Sequence, residues 1–154
     1  MSTISMPLRK TPWHLWAVAI LTFLWNGSGA YTIMMAQSGR LSDLDANEAA
    51  YYAAQPLWFV VSTDIALLSP LAAVVALMLR SQTAPWLFAV SLILILANNV
   101  YDLAAGTSLA LGERGWVIVT VSAVVIAVLQ LVYAWAMKKR GFLQAVPRFH
   151  AGSL

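Results

Sequence analysis

The sequence predicts an all-α, polytopic membrane protein, an antiparallel bundle of four transmembrane helices forming one domain over residues 1–154. Three observations predict it. First, 61% of the residues are hydrophobic and only 10% charged, with a mean hydropathy of +0.77; soluble domains carry about 25% charged residues. Second, four apolar runs, near 13–35, 57–79, 86–106 and 116–137, are each long enough to cross a hydrocarbon core, which takes roughly 20 helical residues. Third, the basic residues stand at the ends of these runs and gather on one side of a four-span arrangement.

Span one follows Arg9 and Lys10. Its apolar run from Leu15 to Trp25, followed by Ser28-Gly29-Ala30, imitates a secretory signal peptide with a small-residue cleavage site. The apolar stretch continues to Met35, which favours a retained span. The loop 36–56 is the longest connection. There Asp45 and Glu48 read as a capping pair and Ala46 to Gln55 are helix formers, so a short interfacial helix carrying Tyr51 and Tyr52 is expected. Pro56 resets the chain before span two, and Ser69-Pro70 in its middle predicts a kink. Spans three and four come after short connections, so neighbours are antiparallel.

Arg9, Lys10, Arg80, Lys138, Lys139, Arg140 and Arg148 fall on one side, and only Arg40 and Arg114 on the other. The positive-inside rule then places both termini, with the tail 138–154, in the cytoplasm. Trp13, Trp16, Trp86 and Trp135 fall near the inner interface, Trp58 and Trp116 near the outer one, and Trp25 at mid-depth. Indole rings prefer interfacial depth, so six of the seven agree with this topology.

Within the spans the only acidic residues are Asp64 and Asp102, with no Lys or Arg. Helical rise places Asn26, Ser28, Tyr31, Asp64, Asn98, Tyr101 and Asp102 at mid-membrane or in its outer half. Ser91, Asn98 and Asp102, spaced by seven and four, share one face of span three. The seven are the candidate ligand-binding or proton-linked residues, and four of them, Asn26, Asp64, Asn98 and Asp102, are expected to face the bundle interior and line one outward-opening cavity. A carboxylate at mid-membrane costs about 2.5–3.5 kcal/mol on insertion scales, so interior placement is expected. The alternative is structural: amides and carboxyls bonding between helices at about 0.6–2 kcal/mol each. Gly27 and Gly29 beside Asn26 read either as access to the backbone or as close helix packing.

Much chemistry is missing. The chain has no cysteine, which excludes disulfides and thiolate sites. No HExxH, P-loop, dinucleotide-binding glycine pattern or nucleophile elbow occurs. His14 and His150, the only histidines, flank the spans without pairing across them. No catalytic residue, metal site or cofactor is therefore expected, and an enzyme is the weakest reading. The net charge of +3 belongs to the span ends rather than to a nucleic-acid surface. Expected partners are the lipid bilayer, a small solute, and a second copy or a larger membrane complex.

Trp25-Asn26-Gly27-Ser28-Gly29-Ala30, Met35-Ala36-Gln37, Tyr51-Tyr52, Pro56-Leu57-Trp58, Leu77-Met78-Leu79-Arg80 and Ser91-Leu92 resemble a family of small bacterial four-helix inner-membrane proteins. Its members are uncharacterised or labelled sugar transporters. The resemblance covers nearly the whole chain and implies a four-span fold and a transport role. Where the family often has an Asp-Tyr pair, Thr32 and Ile33 stand here. Either the family function is altered in this chain, or Asp64 and Asp102 take over the acid. Two functions are thus expected: a small-solute binding or transport module, or a non-catalytic accessory subunit of a larger complex.

The topology is tested by single cysteines in this cysteine-free chain. A cysteine replacing Ser42 should react with an impermeant thiol reagent added outside intact cells, and one replacing Ser81 should not. Labelling at Ser81 from outside overturns the orientation.

Overall fold

The computed structural model describes residues 12–106 and 112–143. Within them the chain forms five helices: α1 (Trp13–Gln37), α2 (Ala46–Ala53), α3 (Leu57–Met78), α4 (Ala84–Ala105) and α5 (Glu113–Lys139). All but α2 are long and apolar enough to cross a membrane. The observed starts and ends lie within a turn of the expected spans. Helix α4 begins two residues earlier than expected because Pro85 fits its first turn, where a missing N–H leaves no bond unmade. The C-terminal segment expected as tail is helical through Lys139, and residues 144–154 lie outside the described residues.

Each span stops for a local reason. Gly39, Gly106 and Gly141 follow α1, α4 and α5 with φ of 67°, 68° and 74°, the left-handed conformation that glycine adopts without a steric penalty. At α1 the Gly39 N–H donates to the Ala36 carbonyl and the Arg40 N–H to that of Met35, closing the last turn. The α3 end makes the same pair of bonds, from Arg80 to Leu77 and from Ser81 to Ala76, but with an arginine at φ 58°. A side chain there costs about 1 kcal/mol or more. What holds it is a strap: Arg80 Nε donates to the Phe142 carbonyl at 3.0 Å, tying the chain after α5 to the α3–α4 turn.

Packing follows the order α1–α3–α4–α5, each helix antiparallel to the next, while α2 rests against α1. Helices α1 and α5 meet where α1 begins and α5 nears its end, with His14 Nδ1 and the Tyr133 hydroxyl 2.8 Å apart. The fixed apolar core sits in that same half. Leu15, Ala76, Leu77, Ala84, Met137 and Leu143 form one cluster, and Ala19, Ala73, Val74, Phe88 and Ala134 the next. Away from these seams large side chains such as Ile20, Leu24, Val61, Leu68, Val100 and Ile118 face outward. That is the surface lipid would cover.

Helix α3 runs unbroken through Pro70. Proline has no N–H, so the carbonyl of Ala66, four residues earlier, loses its helical donor. The Ser91 hydroxyl of α4 supplies one, donating to the Ala66 oxygen at 2.6 Å from a fully packed position. Interhelical hydrogen bonds in membranes average about 0.6 kcal/mol. This one should exceed that, because an orphaned buried carbonyl carries a desolvation cost of about 1–3 kcal/mol. Ser91→Ala is expected to lower stability by about 1–2 kcal/mol in denaturant titrations in micelles. In a Pro70→Ala background, where the backbone donor returns, the same change should cost under about 0.5 kcal/mol. Equal costs in both backgrounds would show that Ser91 does not serve the Ala66 carbonyl.

Candidate functional site

The polar residues of α3 and α4 form a ladder running from the core toward the α2 end. Ser91, Asn98 and Asp102 are all buried on one face of α4, as their spacing predicts. Above the Ser91 rung, Asn98 lies between two hydroxyls of α3: Ser62 Oγ donates to its Oδ1 at 2.8 Å, and its Nδ2 donates to Thr63 Oγ1 at 3.0 Å. Both ends of the amide are thereby used. On the other side of α4, Thr120 Oγ1 of α5 donates to Asn99 Oδ1 at 3.3 Å.

At the top, the Tyr51 hydroxyl of α2 donates to the Asp102 carboxylate, lying 3.1 and 3.2 Å from its two oxygens. The local sequence sets this up. Asp45 caps α2 by accepting from the Glu48 N–H at 2.8 Å, while Glu48 accepts from the Asp45 N–H at 3.0 Å. This box orients a helix of eight residues so that Tyr51 turns inward. Burial first, then the charge of Asp102, pushes the Tyr51 phenol well above the ordinary tyrosine range. The neutral donor form is therefore the docked one. Linkage gives the sign: this contribution is fully present below the ordinary phenolic pKa and is lost as pH rises above it. Tyr52, edge-on to Tyr51 with ring centroids 5.1 Å apart, lines a cavity of about 190 Å³ with Gln37, Leu41, Leu44 and Ala49.

Asp64 is different. Its Oδ1 is buried and is, among the described residues, the one buried side-chain polar atom without a hydrogen-bond partner. Leu15 and Leu77 share one core cluster, Ala19 and Ala73 the next, and Gln37 Nε2 reaches Gln55 Oε1 at 3.5 Å. The antiparallel register these pairs define carries Asp64 to the level of Ser28, between Gly27 and Gly29. A Cβ added at either glycine would meet nothing within 4 Å. These glycines therefore do not serve close helix packing.

The seven candidate residues, including the four expected to line one cavity, hold different partners. Asn98 and Asp102 stand on the α4 ladder, and Asp64 lies apart on α3. Asn26 Nδ2 donates to the Thr22 carbonyl of its own helix at 2.8 Å, and Ser28 Oγ to that of Trp25 at 2.9 Å. Short polar side chains satisfy themselves this way when no neighbouring helix offers a partner. Tyr31 is 64% exposed, on the side of α1 opposite the buried Thr22 and Ala30. Tyr101 packs into an aromatic cluster, 4.8 Å from Trp58 and 5.0 Å from Phe59 between ring centroids. The residues missed are Ser62, Thr63 and Tyr51. For the first two the signal was present: Ser62-Thr63-Asp64 is a run of three polar residues in a span whose other polar side chain is Ser69. Among the described residues no group of three His, Asp or Glu side chains is placed to hold a metal ion.

Comparison with family models, curated proteins and solved structures finds no match to this chain.

Tyr51→Phe removes the hydrogen bond to Asp102 and keeps the ring. Hydrogen bonds to charged groups contribute about 1.5–3 kcal/mol. Amides of residues 46–53 should then exchange with deuterium at least about tenfold faster, with those of α3 and α4 unchanged. Unchanged exchange in α2 would show that it is held by other contacts.

Proposed function

We propose that the chain is a small-solute binding or transport module of a bacterial inner membrane, with both termini in the cytoplasm and Asp64 as its working acid. The observation that carries this reading is the unpartnered Asp64 Oδ1. A buried acceptor without a donor carries a desolvation cost that a purely structural residue would avoid. The other polar groups of the ladder are bonded to neighbouring helices, which is what structural roles look like. Asp64 instead has a buried oxygen that no neighbouring helix bonds. A solute hydroxyl or cationic group, or a proton, supplies what it lacks. Arg80, Lys138, Lys139 and Arg140 at one end of the bundle support the orientation by the positive-inside rule. Helix α2, docked on Asp102, then covers the outer end. The likeness of the Trp25–Ala30 segment to proteins labelled sugar transporters supports the same class of solute.

A second reading, an accessory subunit, draws on Tyr31, whose ring is 64% exposed on α1 where lipid offers its hydroxyl no partner. A helix of another subunit would provide one.

The two are separated by the purified protein in micelles and proteoliposomes. A monosaccharide or polyol bound at Asp64 should raise the unfolding temperature, since ligand at a hundredfold its Kd stabilises by about 2.7 kcal/mol. Asp64→Asn should abolish that rise, and any solute-dependent proton uptake read by an entrapped pH dye, while melting unchanged without solute. No stabilisation by any solute in the panel, together with a silent Asp64→Asn, overturns the module and favours the subunit.

A further inference from the structure

We propose that the basic end of the bundle binds the phosphate of an anionic phospholipid at a site built from Lys138, Trp86 and Trp135. The last turn of α5 brings the Lys138 ammonium over two indole faces at once, 4.8 Å from the Trp135 centroid and 5.5 Å from that of Trp86 in the first turn of α4. The two rings meet nearly edge to face at 5.6 Å. A lysine held on two aromatic faces is fixed in place rather than swinging in solvent. Its ammonium keeps N–H donors directed away from the rings. Among the described residues no carboxylate pairs with Lys138, and neither indole N–H has an acceptor.

Sequence explains why none is near. The six acidic residues are Asp43, Asp45, Glu48, Asp64, Asp102 and Glu113, all in loops or spans toward the α2 end or mid-depth, while Lys139 and Arg140 follow Lys138 directly. The site thus presents donors and positive charge with no built-in acceptor, which is the complement of a phosphate. The surroundings select a lipid over free phosphate. Trp86, Val90 and Ile93 share one face of α4 at helical spacing and are 57%, 42% and 65% exposed. An acyl chain would run along that face directly beneath the phosphate.

The test titrates the full-length protein in micelles with phosphatidylglycerol, phosphatidylcholine or inorganic phosphate and counts adducts by native mass spectrometry. Phosphatidylglycerol should bind in preference to phosphatidylcholine. Lys138→Gln should weaken it about fivefold or more, since one lysine near an anionic surface contributes about that factor, with an unchanged unfolding temperature. Lys139→Gln carries the same charge change one residue away and should have a clearly smaller effect. Equal losses from both variants would mean a diffuse charge and overturn the site. So would equal binding of the two lipids. Displacement of phosphatidylglycerol by millimolar inorganic phosphate would overturn the lipid assignment.

Discussion

The structure depends on one missing hydrogen atom. Pro70 deletes a backbone donor in the centre of a membrane-spanning helix, and nothing in a hydrocarbon core supplies water in its place. Ser91 closes the gap from the neighbouring helix at 2.6 Å. Because a hydroxyl reaches a carbonyl only over such a short span, this bond sets how close α3 and α4 stand and which residues face each other. Sliding one helix by a turn would orphan Ala66 again. The Asn98 rung with Ser62 and Thr63 depends on the same register, as does the position of Asp102 under α2. The ladder is one alignment expressed at three depths.

Helix α1 stands outside that alignment, and its polar residues behave accordingly. Asn26 and Ser28 turn back to their own carbonyls, at no gain in interhelical specificity. The seam between α1 and α3 is built from Leu15, Ala19, Ala73 and Leu77 in the basic half, with glycines beyond. A seam without directional bonds at mid-depth lets two helices separate locally at little cost. The unpaired oxygen of Asp64 lies at that level. Its situation therefore has a structural origin: α4 supplies partners to Ser62 and Thr63, and α1 supplies none to the next residue.

The fold was legible because lipid allows few alternatives. Length, apolarity and the placement of lysines and arginines define four helices, and the Asp45–Glu48 spacing locates α2 and its capping box. The shared face of Ser91, Asn98 and Asp102 was legible too, since helical phase is a local property. The grouping of the site was not. Depth along a helix can be read from residue number, but rotation about the axis relative to neighbours depends on packing. Tyr31 and Asp64 have suitable depth and point to different surroundings. Tyr101 has both tyrosine chemistry and suitable depth, yet aromatic packing against Trp58 and Phe59 claims it. Tyr51 was legible as part of an interfacial helix, while its reach to a carboxylate 51 residues away is a tertiary fact.

The two ends of the bundle are held by different physics, and this difference orders their mobility. In the basic half, side chains such as Leu15, Leu77, Phe88 and Met137 are almost wholly enclosed, and the Arg80 strap ties the chain after α5 to the α3–α4 turn. Packing of that kind is lost only when the helices part together. At the α2 end no residue of α2 is fully buried, and Tyr51 on Asp102 is its bond to the ladder, with aromatic and loop contacts around it. A contact resting on a few directional bonds opens locally, while the rest of the structure stays closed. Local opening is therefore easiest at α2. The basic end, with its arginine held in a strained conformation and its lysine fixed between two indoles, is built to stay closed.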